Sequence, residues 1–237
     1  MKIVCLDAGH SDVKPGAYNK HLDIREEKLA LELSLMVEEL LKKQGIKVVQ
    51  TRTNGNHISL EDRCMRERNS NADCFISIHF NSGSPTASRC EAWVHNKSIS
   101  KTINFAKEMT RNVSKALGNN DGSARLGYVG NPNVNYYVNE YSKSTSMLLE
   151  VCFISNDKEI KNYLNKRKEV AEQIAVTICN FLGVNYVKTE KVQALDLVFE
   201  NLNPNNYKFL MEQKLATGET LEQFIIRQQY RVKKVER

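Results

Sequence analysis

The sequence lacks the long apolar runs of a membrane protein. No segment approaches the roughly 18 consecutive apolar residues that a membrane-spanning helix needs. The N-terminal segment MKIVCLDAGHSD has one lysine, and its apolar run reaches Asp7 too soon for a secretory signal peptide. We therefore expect a protein that is synthesised in the cytoplasm without a signal peptide and is not stably inserted into a membrane.

Closely spaced cysteine pairs are also missing. The six cysteines include no C-x-x-C pair, which argues against a disulfide framework and against a cysteine-rich structural zinc site. Three of them, Cys5, Cys74 and Cys152, lie in apolar runs, where cysteine behaves as a small hydrophobic residue. A catalytic role for Cys152 is disfavoured because the sequence fixes no histidine beside it.

No block rich in lysine and arginine singles out nucleic acid as the partner that the net charge of +6 suits. A modest basic excess suits an anionic partner, a class that includes nucleic acid, membrane surfaces and acidic cell walls. Nucleic acid is disfavoured because its binding sites usually combine basic clusters with interleaved aromatic residues. The hydrophobic content of 41% and charged content of 26% are instead typical of a soluble globular protein.

Apolar runs alternate with segments of helical periodicity, a pattern that predicts βαβ units and a largely parallel sheet. Several runs are almost continuously apolar, as expected for strands that helices cover on both faces. The predicted strands are residues 2–7, 46–52, 74–79, 90–95 and 146–153. The length of 237 residues allows one domain, predicted at 1–184, followed by a small appendage.

Helical periodicity predicts four helices, which begin near Leu29, Ser59, Ile99 and Asn156. Gly45 and Gly183 end the first and the last of them, and Asn156 with Glu159 resembles a capping pair. The polar stretch 118–141 either shapes substrate binding or is a surface connection. Residues 185–237 have no strand pattern and predict a small helical C-terminal tail.

Four side chains carry the chemistry, and each lies in or beside a predicted element. His10 follows the first strand, Glu26 opens the first helix, His79 closes the third strand and Glu150 lies within the last strand. Two imidazoles and one carboxylate are the ligand set of a catalytic zinc ion, with a fourth position for water. A further carboxylate can take that water's proton and pass it to a leaving amine. The pattern predicts a zinc hydrolase with one ion.

Each of these residues also has a simpler interpretation. An isolated histidine such as His10 or His79 is more often hydrogen-bonded within a loop or a core. Asp23-x-x-Glu26 resembles a helix-capping pair, and the adjacent Glu27 points about 100° away around the helix. The apolar stripe of the helix places Glu26 on the sheet-facing side and predicts that Glu27 lies further towards solvent.

Glu150 is the acidic residue of the apolar run SMLLEVCFISN. A carboxylate in such a strand has a large desolvation cost unless it is paired or lies near a metal. Burial would also raise its pKa, as a general base and acid working near neutrality requires. Asn81 and Arg63 are candidates for orienting a substrate, outside the catalytic set.

Five blocks occur along the chain in order: DAGH with a downstream PGA, an acidic residue opening the next helix, TR-x(6)-SL-x-x-R, NADCFISIHFNS and LLEVCFISN. Together they resemble the zinc-dependent N-acetylmuramoyl-L-alanine amidase family over residues 1–183. The resemblance implies a three-layer α/β fold, with a mainly parallel central sheet of about six strands flanked by helices. It also implies one zinc ion bound by His10, Glu26 and His79, with Glu150 catalytic. The implied substrate is the amide joining the muramic acid lactyl group to L-alanine in peptidoglycan.

The chain departs from the family pattern at two places. Cys152 stands where glycine is usual in the last motif, and Ser11-Asp12 replaces a more glycine-rich loop. Neither departure removes an implied metal ligand. Three histidines match no ligand position and are predicted to be surface or loop residues: His21, His57 and His95.

A wall hydrolase without an export signal acts on the cell wall only after release. We expect a phage or prophage endolysin, released with the help of a holin-type partner, or alternatively a sporulation or autolytic amidase freed by mother-cell lysis. The tail at 185–237 would then be a wall-binding or dimerising appendage. A dimerising tail would make the protein a homodimer. The same ligand set would also serve a zinc peptidase or deacetylase, and a non-catalytic wall-binding module is the remaining alternative.

Overall fold

A computed structural model describes residues 1–119 and 122–188. Within the described residues, the chain from Met1 to Tyr186 forms one compact unit. The predicted helical tail lies almost entirely outside the described residues, so its wall-binding and dimerising roles stay predictions.

In chain order the elements are β1 (Ile3–Ala8), β2 (Tyr18–Asn19), β3 (Ile24–Arg25), α1 (Glu26–Lys43), β4 (Lys47–Gln50), α2 (Leu60–Ser70), β5 (Cys74–Asn81), β6 (Cys90–Val94), α3 (Ser100–Leu117), β7 (Gly122–Leu126), α4 (Tyr137–Tyr141), β8 (Thr145–Phe153) and α5 (Asp157–Leu182).

Six strands form one sheet in the order β4-β1-β5-β8-β6-β7. All neighbours are parallel except β6 and β8, which confirms the mainly parallel sheet. All five predicted strands are present, while β7 lies in the stretch 118–141, for which no strand was predicted. This strand is at the sheet edge and carries the sequence GSARL, with no fully buried residue. An edge strand of this kind has no apolar run by which the sequence could reveal it.

Helices cover both faces of the sheet, which confirms the three-layer α/β fold. On one face α1, α3 and α5 pack together and against the strands. The shorter helices α2 and α4 lie on the other face, where Cys64 and Val138 join a small apolar cluster with Phe75 and Leu148. Because these two helices have 11 and five residues, they leave part of their face uncovered.

Helix ends follow the sequence signals closely. The Ser59 side chain accepts the Asp62 N–H and begins α2, and Gly183 adopts a left-handed conformation (φ 69°) after α5. Asn156 caps α5 by accepting the N–H of Glu159, as predicted. The Glu159 carboxylate does not complete the pair, because it accepts the Phe153 N–H instead.

In residues 1–119 and 122–188, no helix combines the length and the apolar content that crossing a membrane requires.

One face of the sheet changes from apolar to polar along its strands. Side chains alternate between faces, so Phe75 and Leu148 share the α2 and α4 side with His79 and Glu150 further along the same strands. The register of the strands pairs Glu150 with His79 on one side and with Glu91 on the other. Three titratable side chains, those of His79, Glu150 and Glu91, therefore lie in one row across three neighbouring strands.

Tyr163 of α5 is fully buried against the edge of Phe80, with ring centroids 4.8 Å apart, and its hydroxyl has no hydrogen-bond partner among the described residues. A buried hydroxyl without a partner costs about 1–3 kcal/mol. We expect Tyr163→Phe to leave the free energy of unfolding unchanged or to raise it by up to about this amount. Urea denaturation measures the effect, with Tyr141→Phe on the surface as control. A loss of stability in the buried variant alone would contradict the expectation.

Candidate metal centre and active-site cleft

The carboxylate of Glu26 lies between two imidazole rings. Its Oε1 atom is 3.0 Å from His10 Nε2 and 3.0 Å from His79 Nδ1. One donor atom from each of the three residues lies within 4.8 Å of the other two. The structure therefore brings together the three residues predicted to be metal ligands, from the turn after β1, the first position of α1 and the end of β5. Their binding of a metal stays a prediction at this point.

Both oxygens of Glu26 are also fixed by backbone amides. Oε1 accepts the Phe80 N–H at 3.0 Å, and Oε2 accepts the Ala17 N–H at 2.9 Å. Burial alone would raise the pKa of Glu26, but its hydrogen bonds with His10 and His79 outweigh burial and hold that pKa well below its usual range. The carboxylate is thus ionised and oriented before any ion arrives.

The alternative in which Glu26 caps its own helix is wrong. Arg25 occupies the N-cap position of α1, and no side chain caps the helix there. Asp23 instead accepts the hydroxyl of Tyr18 at 2.6 Å. The acidic residue at the start of this helix therefore points away from the helix backbone and towards the histidines.

The expectation that Glu27 lies towards solvent is also wrong. Glu27 is only 5% exposed, and its Oε2 has no hydrogen-bond partner among the described residues. Its backbone N–H donates to the Pro15 carbonyl, and its own carbonyl accepts from Arg52. The loop before the helix folds over the helix start and buries this side chain, which helical periodicity alone does not reveal.

Two glycines allow the cluster to form. A Cβ atom at Gly9 would lie 2.4 Å from the ring of His79, and one at Gly16 would lie 2.4 Å from Glu26 Oε2. Gly16 also has φ 73°, a conformation that favours glycine. The glycines of the DAGH and PGA blocks are thus required by close packing against two members of the cluster.

His10 has a left-handed backbone conformation, with φ 63°. Such a conformation costs of order 1–3 kcal/mol in a residue other than glycine, and it persists only where the surroundings enforce it. Arg63 provides part of that enforcement, because Nη2 donates to the His10 carbonyl at 2.6 Å and Nη1 donates to the Ala8 carbonyl at 2.6 Å. Arg63 was a candidate for orienting substrate, but it is 3% exposed and directs these donors into the protein.

A buried aspartate anchors Arg63 in turn. Asp7 accepts Arg63 Nη1 together with the hydroxyls of Thr51 and Ser77. Burial alone would raise the pKa of Asp7, but the Arg63 guanidinium and the two hydroxyls outweigh it and lower that pKa. This ionised pair lies beneath the turn that carries His10, and it links α2 to the end of β1.

Glu150 lies beside the cluster and faces the same cleft. Its side chain is half-buried, and Oε2 is enclosed with no hydrogen-bond partner among the described residues. Burial, together with the negative charges of Glu26 and Glu91, raises the pKa of Glu150 well above its usual range. An unpartnered carboxylate oxygen of raised pKa is suited to accept and return a proton.

Glu91 is a neighbour of Glu150 that the sequence analysis did not identify. It is 4% exposed and accepts from Arg89 Nε at 2.9 Å and from Asn81 Nδ2 at 2.8 Å. Arg125 Nε lies 3.3 Å from the same carboxylate. Asn81 therefore holds Glu91 rather than pointing freely at a substrate. The lone acidic residue in the apolar segment CEAWV was the available signal.

The site opens into a cleft of about 790 Å³. Its lining includes His10, Glu26, His79 and Glu150. His57 also lines the cleft and lies in a loop, as predicted. Its Nδ1 is 3.2 Å from Ser11 Oγ. The lining also includes three continuous segments, 57–60, 79–82 and 135–138.

Cysteine has no part in this cleft. All six cysteines are free and buried, and none lines it. Burial raises the pKa of the Cys152 thiol well above its usual value, which leaves it protonated and unreactive.

Fold and site together define a class of protein: α/β enzymes in which a His-Glu-His cluster lies beside a carboxylate at the ends of parallel strands. The chain belongs to the Amidase_3 family of N-acetylmuramoyl-L-alanine amidases, whose model matches residues 4–180. The family resemblance read from the five sequence blocks is therefore confirmed, and with it the prediction of an enzyme.

Individual relatives agree with this assignment. The chain is 31% identical over 182 residues to the probable cell wall amidase LytH of Staphylococcus epidermidis, covering 74% of this chain and 56% of LytH. It is 29% identical over 156 residues to the sporulation-specific N-acetylmuramoyl-L-alanine amidase of Bacillus subtilis, covering 65% of this chain and 57% of that protein. The matched region thus spans little more than half the length of either relative.

A solved structure gives the same result. The catalytic domain of CwlV, an N-acetylmuramoyl-L-alanine amidase from Bacillus (Paenibacillus) polymyxa var. colistinus, is 31% identical in sequence. It superimposes with a TM-score of 0.69 over 78% of this chain and 100% of that domain.

Arg63 holds the backbone of His10, so a change at Arg63 should alter metal binding although Arg63 is not itself a predicted ligand. A lysine at this position keeps the positive charge but cannot reach both carbonyls with a planar fork. We expect Arg63→Lys to weaken the affinity for added Zn²⁺ by about 10–100-fold, as is typical when residues supporting metal ligands are changed. Isothermal titration measures the affinity, and circular dichroism checks that the variant is folded.

Arg68→Lys is the matched control, because Arg68 lies on the same helix and, within the described part of the chain, its side chain donates to the carbonyl of the exposed Tyr141. It should bind Zn²⁺ as the wild type does. Equal Zn²⁺ affinities in the wild type and both folded variants would show that Arg63 does not hold His10 in position for metal binding.

Proposed function

We propose that this chain is a zinc-dependent enzyme that hydrolyses the amide between the lactyl group of N-acetylmuramic acid and L-alanine in bacterial peptidoglycan. The observation that carries the proposal is the position of Glu26 Oε1, 3.0 Å from a nitrogen of each of two histidines. Membership of the amidase family supports the choice of substrate.

The donor set fits a zinc ion. Two imidazole nitrogens and one carboxylate oxygen are the usual protein ligands of a catalytic zinc, and here His10, Glu26 and His79 would hold it. When bound, zinc supplies Lewis acidity that polarises a carbonyl and makes water a better nucleophile near neutral pH. The ionised state of Glu26 favours a cation at this position.

Glu150 is proposed to move the proton. Its enclosed Oε2 takes a proton from the attacking water and then gives it to the alanine nitrogen as the amide bond breaks. The raised pKa allows the same carboxyl group to act as base and then as acid near neutrality.

Glu91 and its partners are proposed to fix the environment of Glu150. The Arg89 and Arg125 side chains balance the charge of Glu91, so that two carboxylates can be neighbours on adjacent strands. Glu91 itself makes no proton transfer in this account, because its carboxylate is already engaged by Arg89 and Asn81.

The biological setting stays a prediction from the sequence. We propose that the enzyme acts on the wall after release and causes lysis, as a phage or prophage endolysin with a holin-type partner. A sporulation or autolytic role is the alternative, and a sporulation-specific amidase is among the relatives described above.

Replacing the proposed proton carrier tests the reaction. We expect Glu150→Gln to lose activity by about 10²–10⁴-fold, the range for general acid–base catalysis, while its zinc content is unchanged. Purified walls are digested, and the released ends are identified by mass spectrometry. An amidase exposes muramoyl lactyl carboxylates and L-alanine amino termini in equal numbers.

Glu61→Gln makes the same chemical change at an exposed position of α2 and should retain activity. A peptidase or deacetylase would release other groups, and a wall-binding module would release none. Retained turnover in Glu150→Gln would place the base elsewhere.

A further inference from the structure

Two tyrosines form one side of the cleft, and neither has a role in the chemistry above. Tyr128 and Tyr136, which we call the tyrosine wall, both line the cleft, with ring centroids 4.5 Å apart. Tyr128 is 42% exposed, whereas Tyr136 is half-buried and packs edge-on against the buried Trp93. An exposed aromatic face thus lines the same cleft as Glu150, the proposed proton carrier.

The wall is built rigidly. The Gly127 N–H donates to the Val94 carbonyl at 2.9 Å, which fixes the loop to β6 just before Tyr128. Asn135 Oδ1 accepts the Asn96 N–H at 2.7 Å just before Tyr136. These anchors mean that ligand binding need not order the loop, which would otherwise weaken affinity.

The tyrosine wall lies near Glu150. Tyr136 packs against Trp93, which the strand register pairs with Leu148, two residues before Glu150 on the same face of β8. Both Tyr136 and Glu150 line the cleft. A substrate with its scissile amide at Glu150 would therefore place one of its two arms on the tyrosine wall.

The side of the cleft near β1 and β4 differs in chemistry. Ser11 and Lys14 follow β1 and His57 follows β4, whereas Tyr128 follows β7 at the other edge of the sheet. Lys14 is exposed with no ion-pair partner among the described residues. We call this side the lysine wall. The tyrosine wall instead offers uncharged aromatic rings, which do not attract a carboxylate as the charge of Lys14 does.

We propose that the tyrosine wall is the sugar subsite of this cleft, where the exposed face of Tyr128 stacks on the pyranose ring of N-acetylmuramic acid. The peptide arm of the substrate then lies along the lysine wall. This inference rests on the proposed function, since it divides the two arms of that substrate between the two walls.

The chemistry of the arms supports this division. A pyranose is uncharged along its ring and presents C–H groups that pack on the flat, electron-rich face of an aromatic ring. The peptide that follows L-alanine in peptidoglycan carries carboxylate groups, which suit the neighbourhood of Lys14 better than that of Glu150. Charge and shape therefore assign the sugar to the tyrosines.

Two soluble substrates test the assignment with the full zinc-loaded chain. Both contain the same lactyl-L-alanyl peptide, but one carries the muramic acid sugar and the other carries only the lactyl group. The measured quantity is the ratio of kcat/KM for the sugar-bearing substrate to kcat/KM for the sugar-free substrate. We expect Tyr128→Ala to lower this ratio about tenfold, a size typical of the loss of one aromatic stacking contact.

Tyr128→Phe keeps the aromatic face and should keep the ratio. Tyr141→Ala removes an exposed tyrosine outside the cleft and should also keep it. An unchanged ratio in Tyr128→Ala, or an equal fall on both substrates, would overturn the sugar assignment. If the wild type cleaved neither substrate, the proposed function would fail, and this inference with it.

Discussion

The carboxylate of Glu26 is the constraint on which the site depends. It lies within hydrogen-bonding distance of two imidazoles and two backbone amides at once, and it is almost completely buried. A buried anion is stable only where such partners are already in position. The turn after β1, the loop before α1 and the end of β5 must therefore each be placed accurately, and Gly9 and Gly16 make room for that convergence.

The sheet provides the rest of the geometry. Parallel register puts His79 next to Glu150, and the single antiparallel contact puts Glu150 next to Glu91. Apolar residues further back along the same face, such as Phe75 and Leu148, pack under α2 and α4. One face of one sheet thus serves as a small core at its base and as a reaction site at its upper edge.

The sequence predicted the parts of this structure that have a periodic or motif signal. Long apolar strands, capped helices and the convergence of His10, Glu26 and His79 all have such signals. The edge strand β7 and the burial of Glu27 had none, because each depends on what the rest of the chain places beside it. The same is true of the tyrosine wall, which lies in a polar stretch and lines the cleft only because the fold places it there.

The central claim is that three side chains bind one zinc ion. Zinc analysis of the dialysed full chain, combined with X-ray absorption at the zinc edge, tests it most directly. The account predicts one zinc per chain, with nitrogen and oxygen ligands at about 2.0–2.2 Å, and a lower zinc content in a folded His79→Ala variant. A wild-type chain that binds no zinc, or a His79→Ala variant with unchanged stoichiometry, would contradict it.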